Sequence, residues 1–257
     1  MIFSTEVASS QHKTDQPILN RCLAAYVALQ DYHLGSTLEI GVGSGDGIKF
    51  YIDQTSSLTV VDKNLHLFNK NKSLNNFDAI KQVKAFLPDQ KLSTSVKYDT
   101  ILCFQFLEHI ERDFELIKHL FDLLNDNGAL FLTTPNKEES SGVNPWHYRE
   151  YNQDDLQSLF KGVFKNIQFK GVFANEASYN YHLRSLKMSN KIKNTFLIKQ
   201  YLKLPKFIQH FGYEWANRYN RIRISKKEKY VSKTEDYKID HIQSSAGLLD
   251  FFVIAKK

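Results

Sequence analysis

The most constraining stretch of this chain is Leu38-Glu39-Ile40-Gly41-Val42-Gly43-Ser44-Gly45-Asp46-Gly47, followed by a second apolar run, Leu58-Thr59-Val60-Val61, that ends on Asp62. The pattern predicts a strand, a glycine turn, a helix and a second strand tipped by a carboxylate. Glycine lets the backbone turn sharply and approach a ligand that a Cβ would hold off. A carboxylate at the tip of the next strand can accept hydrogen bonds from ribose hydroxyls. The two runs together point to a nucleoside-containing ligand.

The spacing narrows that ligand. A dinucleotide fingerprint requires Gly-x-Gly-x-x-Gly, and the third glycine position, counted from Gly41, is Asp46. No Gly-Lys-Ser/Thr phosphate loop occurs. Glu39, two positions before the first glycine, suits a ligand with a positive amino group, such as a methionine moiety, and not a pyrophosphate. In this form the stretch resembles the first motif of the class I S-adenosylmethionine-dependent methyltransferases. The likeness continues through Tyr98–Ile110, which ends in Leu107-Glu108-His109-Ile110, through Leu123–Asn136, and through His147-Tyr148-Arg149-Glu150-Tyr151 with Asp155, Leu156, Leu159 and Phe160. That last segment is similar to one found in the small-molecule branch. The resemblance covers residues 36–173 and about the last ten.

It implies S-adenosylmethionine as cofactor and methyl transfer to a small-molecule acceptor, with oxygen, nitrogen and carbon acceptors, and anionic sugar- or lipid-linked ones, all open. A cofactor-binding protein without catalysis on the same fold, and a nicotinamide enzyme on a related sheet, are the alternatives. The expected cofactor contacts are Glu39, Gly41, Val42, Gly43, Gly45, Asp62, Lys63, Phe86, Leu87 and Phe104. Lys63, Phe86 and Leu87 are expected to sandwich the adenine, although core packing is the plainer reading of Phe86. Glu108, His109, Asn136, Tyr148 and Arg149 are expected on the acceptor side. His147 is the expected general base, since imidazole titrates near neutrality and an acceptor hydroxyl must lose its proton. The plainer reading is that His147 and Arg149 anchor the following helix. Glu108 and His109 invite a metal, but zinc takes three or four ligands. No third is evident in the sequence, and no metal is expected.

Apolar runs alternating with helical patterns predict an α/β fold, a parallel sheet covered on both faces. Strands are expected at Leu38–Val42, Leu58–Val61, Ile80–Phe86, Thr100–Phe104, Ala129–Thr133, Val163–Phe173 and Leu249–Ala255. Helices are expected at Gln16–His33, Asp46–Asp53, Asn64–Leu74, Phe114–Leu124 (stopped by Asn127-Gly128) and Gln153–Phe160 (capped by Asn152). The resemblance implies a Rossmann-like, doubly wound sheet of seven strands with the last antiparallel. Three regions follow: an N-terminal helical segment, 1–35; a core, 36–173 and 241–257; and a basic, mostly helical cap, 174–240, inserted between the last two strands.

The net charge of +6 is unevenly placed: residues 181–233 hold 14 Lys and Arg against 2 Asp and Glu. Basic residues interleaved with Ile, Phe, Leu and Tyr suit a solvated face, an anionic acceptor, or peripheral contact with an acidic membrane. Nucleic acid fits by charge alone. Against it, the fourth strand is not followed by an adenine-methylase Asn-Pro-Pro-Tyr motif, and no proline precedes Cys103. Two cysteines and an N-terminus without a basic start and long apolar run predict a cytoplasmic protein. The oligomeric state is not legible.

Overall fold

The structure, a computed structural model, describes residues 8, 10, 13–71, 79–142, 144–193, 206–227, 231–244 and 247–257. Its centre is one eight-stranded sheet in the order β3-β2-β1-β4-β5-β8-β6-β7. The strands are β1 (Gly35–Ile40), β2 (Thr55–Asp62), β3 (Lys81–Lys84), β4 (Tyr98–Phe104), β5 (Leu124–Pro135), β6 (Asn166–Ala174), β7 (Tyr237–His241) and β8 (Leu248–Lys256). The first five pair in parallel, β8 is antiparallel to β5 and β6, and β7 is antiparallel to β6. The helices are α1 (Gln16–Val27), α2 (His66–Lys70), α3 (Asp113–Leu123), α4 (Gln153–Lys161), α5 (Glu176–Lys193) and α6 (Lys206–Lys227).

Period-two alternation explains why the central strands are apolar throughout. Ile101, Cys103, Leu130, Leu132, Val253 and Ala255 pack in one buried cluster with α3 and α4. Their sequence neighbours Leu102, Phe104, Phe131, Phe252 and Ile254 pack on the other face in a cluster that includes Ala25 and Leu29. A strand with both faces covered must carry apolar side chains at odd and even positions alike.

Four expectations are corrected. The sheet has eight strands, not seven, and all but the last residue of the additional one, Tyr237–His241, falls inside the stretch assigned to the cap. Its residues alternate too briefly to stand out from a polar, basic neighbourhood. Residues 46–53 form no α-helix but two short 3-10 turns, Ile48–Phe50 and Ile52–Gln54. Gly47, Asp46 and β-branched isoleucines in so short a run cannot meet the cost of nucleating a helix. The Gln16–His33 helix is α-helical only to Val27 and continues as a 3-10 turn, Ala28–Asp31. Finally, α3 ends at Leu123, before Asn127-Gly128. Those two residues belong to an irregularity of β5, whose Leu124 pairs with Tyr98 and whose Ala129 pairs with Thr100. Asn127 there has a φ of 69°. Of the expected Asn64–Leu74 helix, α2 is seen and residues 72–74 lie outside the described residues.

The segment after β6 does carry two long helices, α5 and α6. Among the described residues no helix is long and apolar enough to cross a membrane. Within the basic 181–233 segment, residues 194–205 and 228–230 lie outside the described ones, as do Met1–Val7.

Asn152 caps α4 as the sequence predicts. Its side chain accepts from the Asp155 amide at 2.8 Å, and the Asp155 carboxylate accepts from the Asn152 amide at 3.2 Å. Asn152→Ala is expected to cost about 1 kcal/mol of unfolding free energy, read as a lower urea midpoint with an unchanged slope.

Candidate functional site

The strand order reverses between β1 and β4, and the crevice beyond the carboxyl ends of such strands is where parallel sheets bind ligands. The glycine bend lies there. Gly41, Gly43 and Gly45 have φ values of 74°, 57° and 71°, in the region that glycine reaches without a Cβ penalty. The Gly41 amide donates to the Val61 carbonyl at 2.8 Å, which docks the bend on β2. Asp62, at the tip of β2, accepts from the Gly43 amide at 3.0 Å through Oδ2 and from the Asn64 amide at 2.8 Å through Oδ1. The two features that pointed to a nucleoside are therefore in direct contact.

The glycines also serve the protein's own packing. A Cβ on Gly41 would lie 2.5 Å from the Phe106 ring, one on Gly45 2.8 Å from Phe68, and one on Gly47 2.6 Å from Tyr26. The bend is lined on these sides by aromatic rings, which the sequence reading did not foresee.

Glu39 points inward and is 1% exposed. The Tyr26 hydroxyl donates to Oε1 at 2.6 Å and the Tyr51 hydroxyl to Oε2 at 2.5 Å. Burial outweighs these two bonds and pushes the carboxyl up to about 7. Of the other expected cofactor contacts, Val42, Leu87 and Phe104 have core side chains, and Phe104 packs edge-on against Tyr26. Side-chain roles at these three positions give way to packing, which leaves their backbone at the rim. Phe86, in contrast, is 54% exposed, at odds with its core reading. Lys63 Nζ lies 5.9 Å over the ring of Trp146, across the rim from β2.

The acceptor-side residues divide. Glu108 lies in a 3-10 turn after β4 and is buried. Its Oε2 accepts from the Thr134 hydroxyl at 3.0 Å, and its carbonyl accepts from the Tyr148 amide at 2.8 Å. His109 and His147 meet edge to face, with ring centroids 5.0 Å apart. His109 Nδ1 is 2.9 Å from the Trp146 carbonyl, and His147 Nδ1 is 2.7 Å from Glu150 Oε1. The hydrogen bond of His147 holds the Glu150 carboxyl below its usual range against the opposing effect of burial. Glu108, His109 and His147 thus form one cluster, with a third group that the sequence did not reveal.

Asn136 and Arg149 are instead committed elsewhere. Asn136 is buried, donates to the Leu248 carbonyl at 2.8 Å and accepts from the Glu138 amide at 3.1 Å, which fastens β5 to β8. Arg149 pairs with Asp113 at 3.2 Å and Asp155 at 3.7 Å, which ties α3 to α4. The plainer anchoring reading fits Arg149. Tyr148 is exposed.

Sequence reasoning missed several groups around this cluster. Gln105, with φ 50°, directs its amide to Thr133 Oγ1 and Asp250 Oδ1, each at 3.3 Å. Asp250, buried in β8, pairs with Arg21 of α1. Glu139 receives Tyr179 at 2.9 Å and His182 at 3.1 Å from α5, and Glu214 of α6 accepts from Trp146 Nε1 at 3.2 Å. All these pairs join residues far apart in the chain, and no local pattern announces them.

Comparisons with known proteins agree with this architecture. Residues 15–164 match the family described as "Methyltransferase domain". A protein of Mycobacterium tuberculosis described as a "probable S-adenosylmethionine-dependent methyltransferase" is 25% identical over 142 residues, 53% of this chain and 51% of that protein. The match thus spans about half the length of the curated relative. A SAM-dependent methyltransferase from Archaeoglobus fulgidus superposes with a TM-score of 0.53 at 14% identity, covering 94% of each chain. A putative methyltransferase from Bacillus halodurans gives 0.55 at 11% identity, covering 91% of this chain and 98% of that one. At such identities the two structures speak for the fold alone.

The raised Glu39 carboxyl makes a stability prediction. An acid whose folded pKa exceeds its unfolded one binds more protons when folded, so stability falls as pH rises between the two values. From the ordinary 4.5 to about 7, the loss amounts to roughly 3 kcal/mol at most. Glu39→Gln should flatten that fall between pH 4.5 and 7 in denaturation curves taken across the range.

Proposed function

Since the chain belongs to the methyltransferase-domain family, we propose that it transfers a methyl group from S-adenosylmethionine to a small-molecule acceptor held between the strand tips and the helices of the 174–240 segment. The observation that carries this reading is the contact of Asp62 with the Gly43 amide at the point where the strand order reverses. Asp62 accepts from two backbone amides at the rim, and an ionised carboxylate there is an acceptor of the kind that takes ribose hydroxyls. The donor set thus fits an adenosine. The buried Glu39 fits the other end: a carboxylate held by two tyrosine hydroxyls gains from a nearby ammonium group. Exposed Phe86 supplies an apolar face for adenine.

S-adenosylmethionine, when bound, supplies a methyl group already activated on its sulfonium. The protein's part is to orient the acceptor, exclude water and receive a proton. Orientation of this kind is worth up to about 7–11 kcal/mol in favourable cases. Trp146, α5 and α6 close the acceptor side through the Glu214 and Glu139 contacts. His147 is the base of this reading. Its Nδ1–H donates to Glu150, which fixes the tautomer and leaves Nε2, now accepting from the Asn144 amide at 2.8 Å, to take the proton of an acceptor hydroxyl.

Calorimetric titration with S-adenosylhomocysteine tests the cofactor half. Saturable binding is expected, and Asp62→Ala should weaken it by tenfold or more, since each lost bond to a charged group is worth roughly 1.5–3 kcal/mol. A folded protein that ignores this ligand and prefers a nicotinamide dinucleotide would overturn the reading. For the acceptor half, Glu150→Gln should lower kcat by at least tenfold while leaving S-adenosylhomocysteine affinity within twofold of the parent, measured once an acceptor is in hand.

A further inference from the structure

We propose that Glu108, His109 and His147 form a binding site for a divalent first-row transition-series cation or zinc, facing the acceptor side of the crevice. One potential ligand atom from each residue lies within 4.8 Å of the others, and Glu108 Oε1 is 4.0 Å from His109 Nε2. Ligand atoms sharing one ion at about 2.0–2.2 Å stand roughly 3 to 4 Å apart, so closure needs shifts of about an ångström or less.

The stronger argument is what stands behind each ligand. Metal-binding imidazoles donate their other N–H to a carbonyl or carboxylate, which sets the tautomer and the ring plane. Both histidines have this arrangement: His109 Nδ1 on the Trp146 carbonyl, and His147 Nδ1 on Glu150, which Ser140 also holds at 2.8 Å. In the neutral ring this tautomer puts the lone pair that an ion requires on Nε2. The carboxylate follows the same logic, with Thr134 on Oε2 and Oε1 turned toward His109. One group must yield: Asn144 Nδ2, 2.8 Å from His147 Nε2, has to swing aside.

Electrostatics favours the ion. Glu108 is 1% exposed, and one hydroxyl and a partly buried imidazole are thin compensation for a carboxylate taken out of water. A dication between Glu108 and the two imidazoles supplies what is missing. Two nitrogens and one oxygen select zinc or manganese-type ions over calcium and magnesium, which prefer all-oxygen shells. Three protein ligands leave coordination positions open, where an acceptor oxygen would be acidified. With the ion seated, His147 is a ligand and the proton-accepting role assigned to it passes to the metal-bound oxygen. Only that consequence rests on the function proposed above; the binding of an ion does not.

The test uses the full chain, stripped with a chelator and titrated calorimetrically with ZnCl2 and, separately, MnCl2. One saturable site per chain, with micromolar or tighter zinc affinity, is expected. His109→Ala and Glu108→Gln should each weaken it at least tenfold. X-ray absorption of the zinc-loaded protein should show two imidazoles in its shell. Unchanged S-adenosylhomocysteine binding by His109→Ala establishes that this variant is folded. Absence of saturable binding by the parent protein, or zinc affinity unaltered in His109→Ala, would overturn the proposal. Zinc binding with no S-adenosylhomocysteine binding would instead retain the ion site and sink the methyltransferase reading.

Discussion

The hydrogen bond from the Gly43 amide to the Asp62 carboxylate is the constraint around which this protein is arranged. It joins the bend after β1 to the tip of β2, so neither can shift without the other. It exists only because three glycines accept positive φ values in close succession. Around it the chain packs three aromatic rings, Phe106, Phe68 and Tyr26, against glycines 41, 45 and 47. A side chain at any of these positions would push a ring out of place as well as strain the turn. Rigidity at the strand tips is thus shared between backbone hydrogen bonds and ring packing, and a ligand there meets a floor set before it arrives.

The opposite wall is assembled differently. It is held by charged pairs between elements distant in sequence, Arg21 with Asp250 and His182 with Glu139. Asp15, fully buried, receives both Arg218 and Arg221 from α6. Such pairs add little net stability relative to apolar packing, but breaking one partner strands a buried charge and is costly. They therefore act as selective fasteners, which suits helices that must lie over a polar space without filling it with apolar side chains.

The sequence was legible where local chemistry dominates. The glycine bend, the carboxylate after the second apolar run, the order of the five parallel strands' residues along the chain and the Asn152 cap follow from short-range patterns. The Leu-Glu-His-Ile turn was readable as a turn, yet its role was not, because His147 reaches it only through folding of the 144–151 loop against Glu108. The tyrosine pair on Glu39 was hidden for the same reason: Tyr26 comes from α1 and Tyr51 from the turns after the bend. Phe104 and Leu87 mislead because an apolar residue at a strand end suits a ligand pocket and a core equally well. β7 escaped notice because five residues that include Lys238, Asp240 and His241 carry almost no periodic signal.

The placement of β8 has a consequence for how the molecule comes into being. It sits between β5 and β6, with every rung of its ladder antiparallel to them. During synthesis from the N-terminus, β5 and β6 are made long before the strand that separates them. Until residues 248–256 have left the ribosome, the facing borders of β5 and β6 stay unzipped, and direct mispairing of those borders is the hazard that delayed insertion of their common neighbour must outrun.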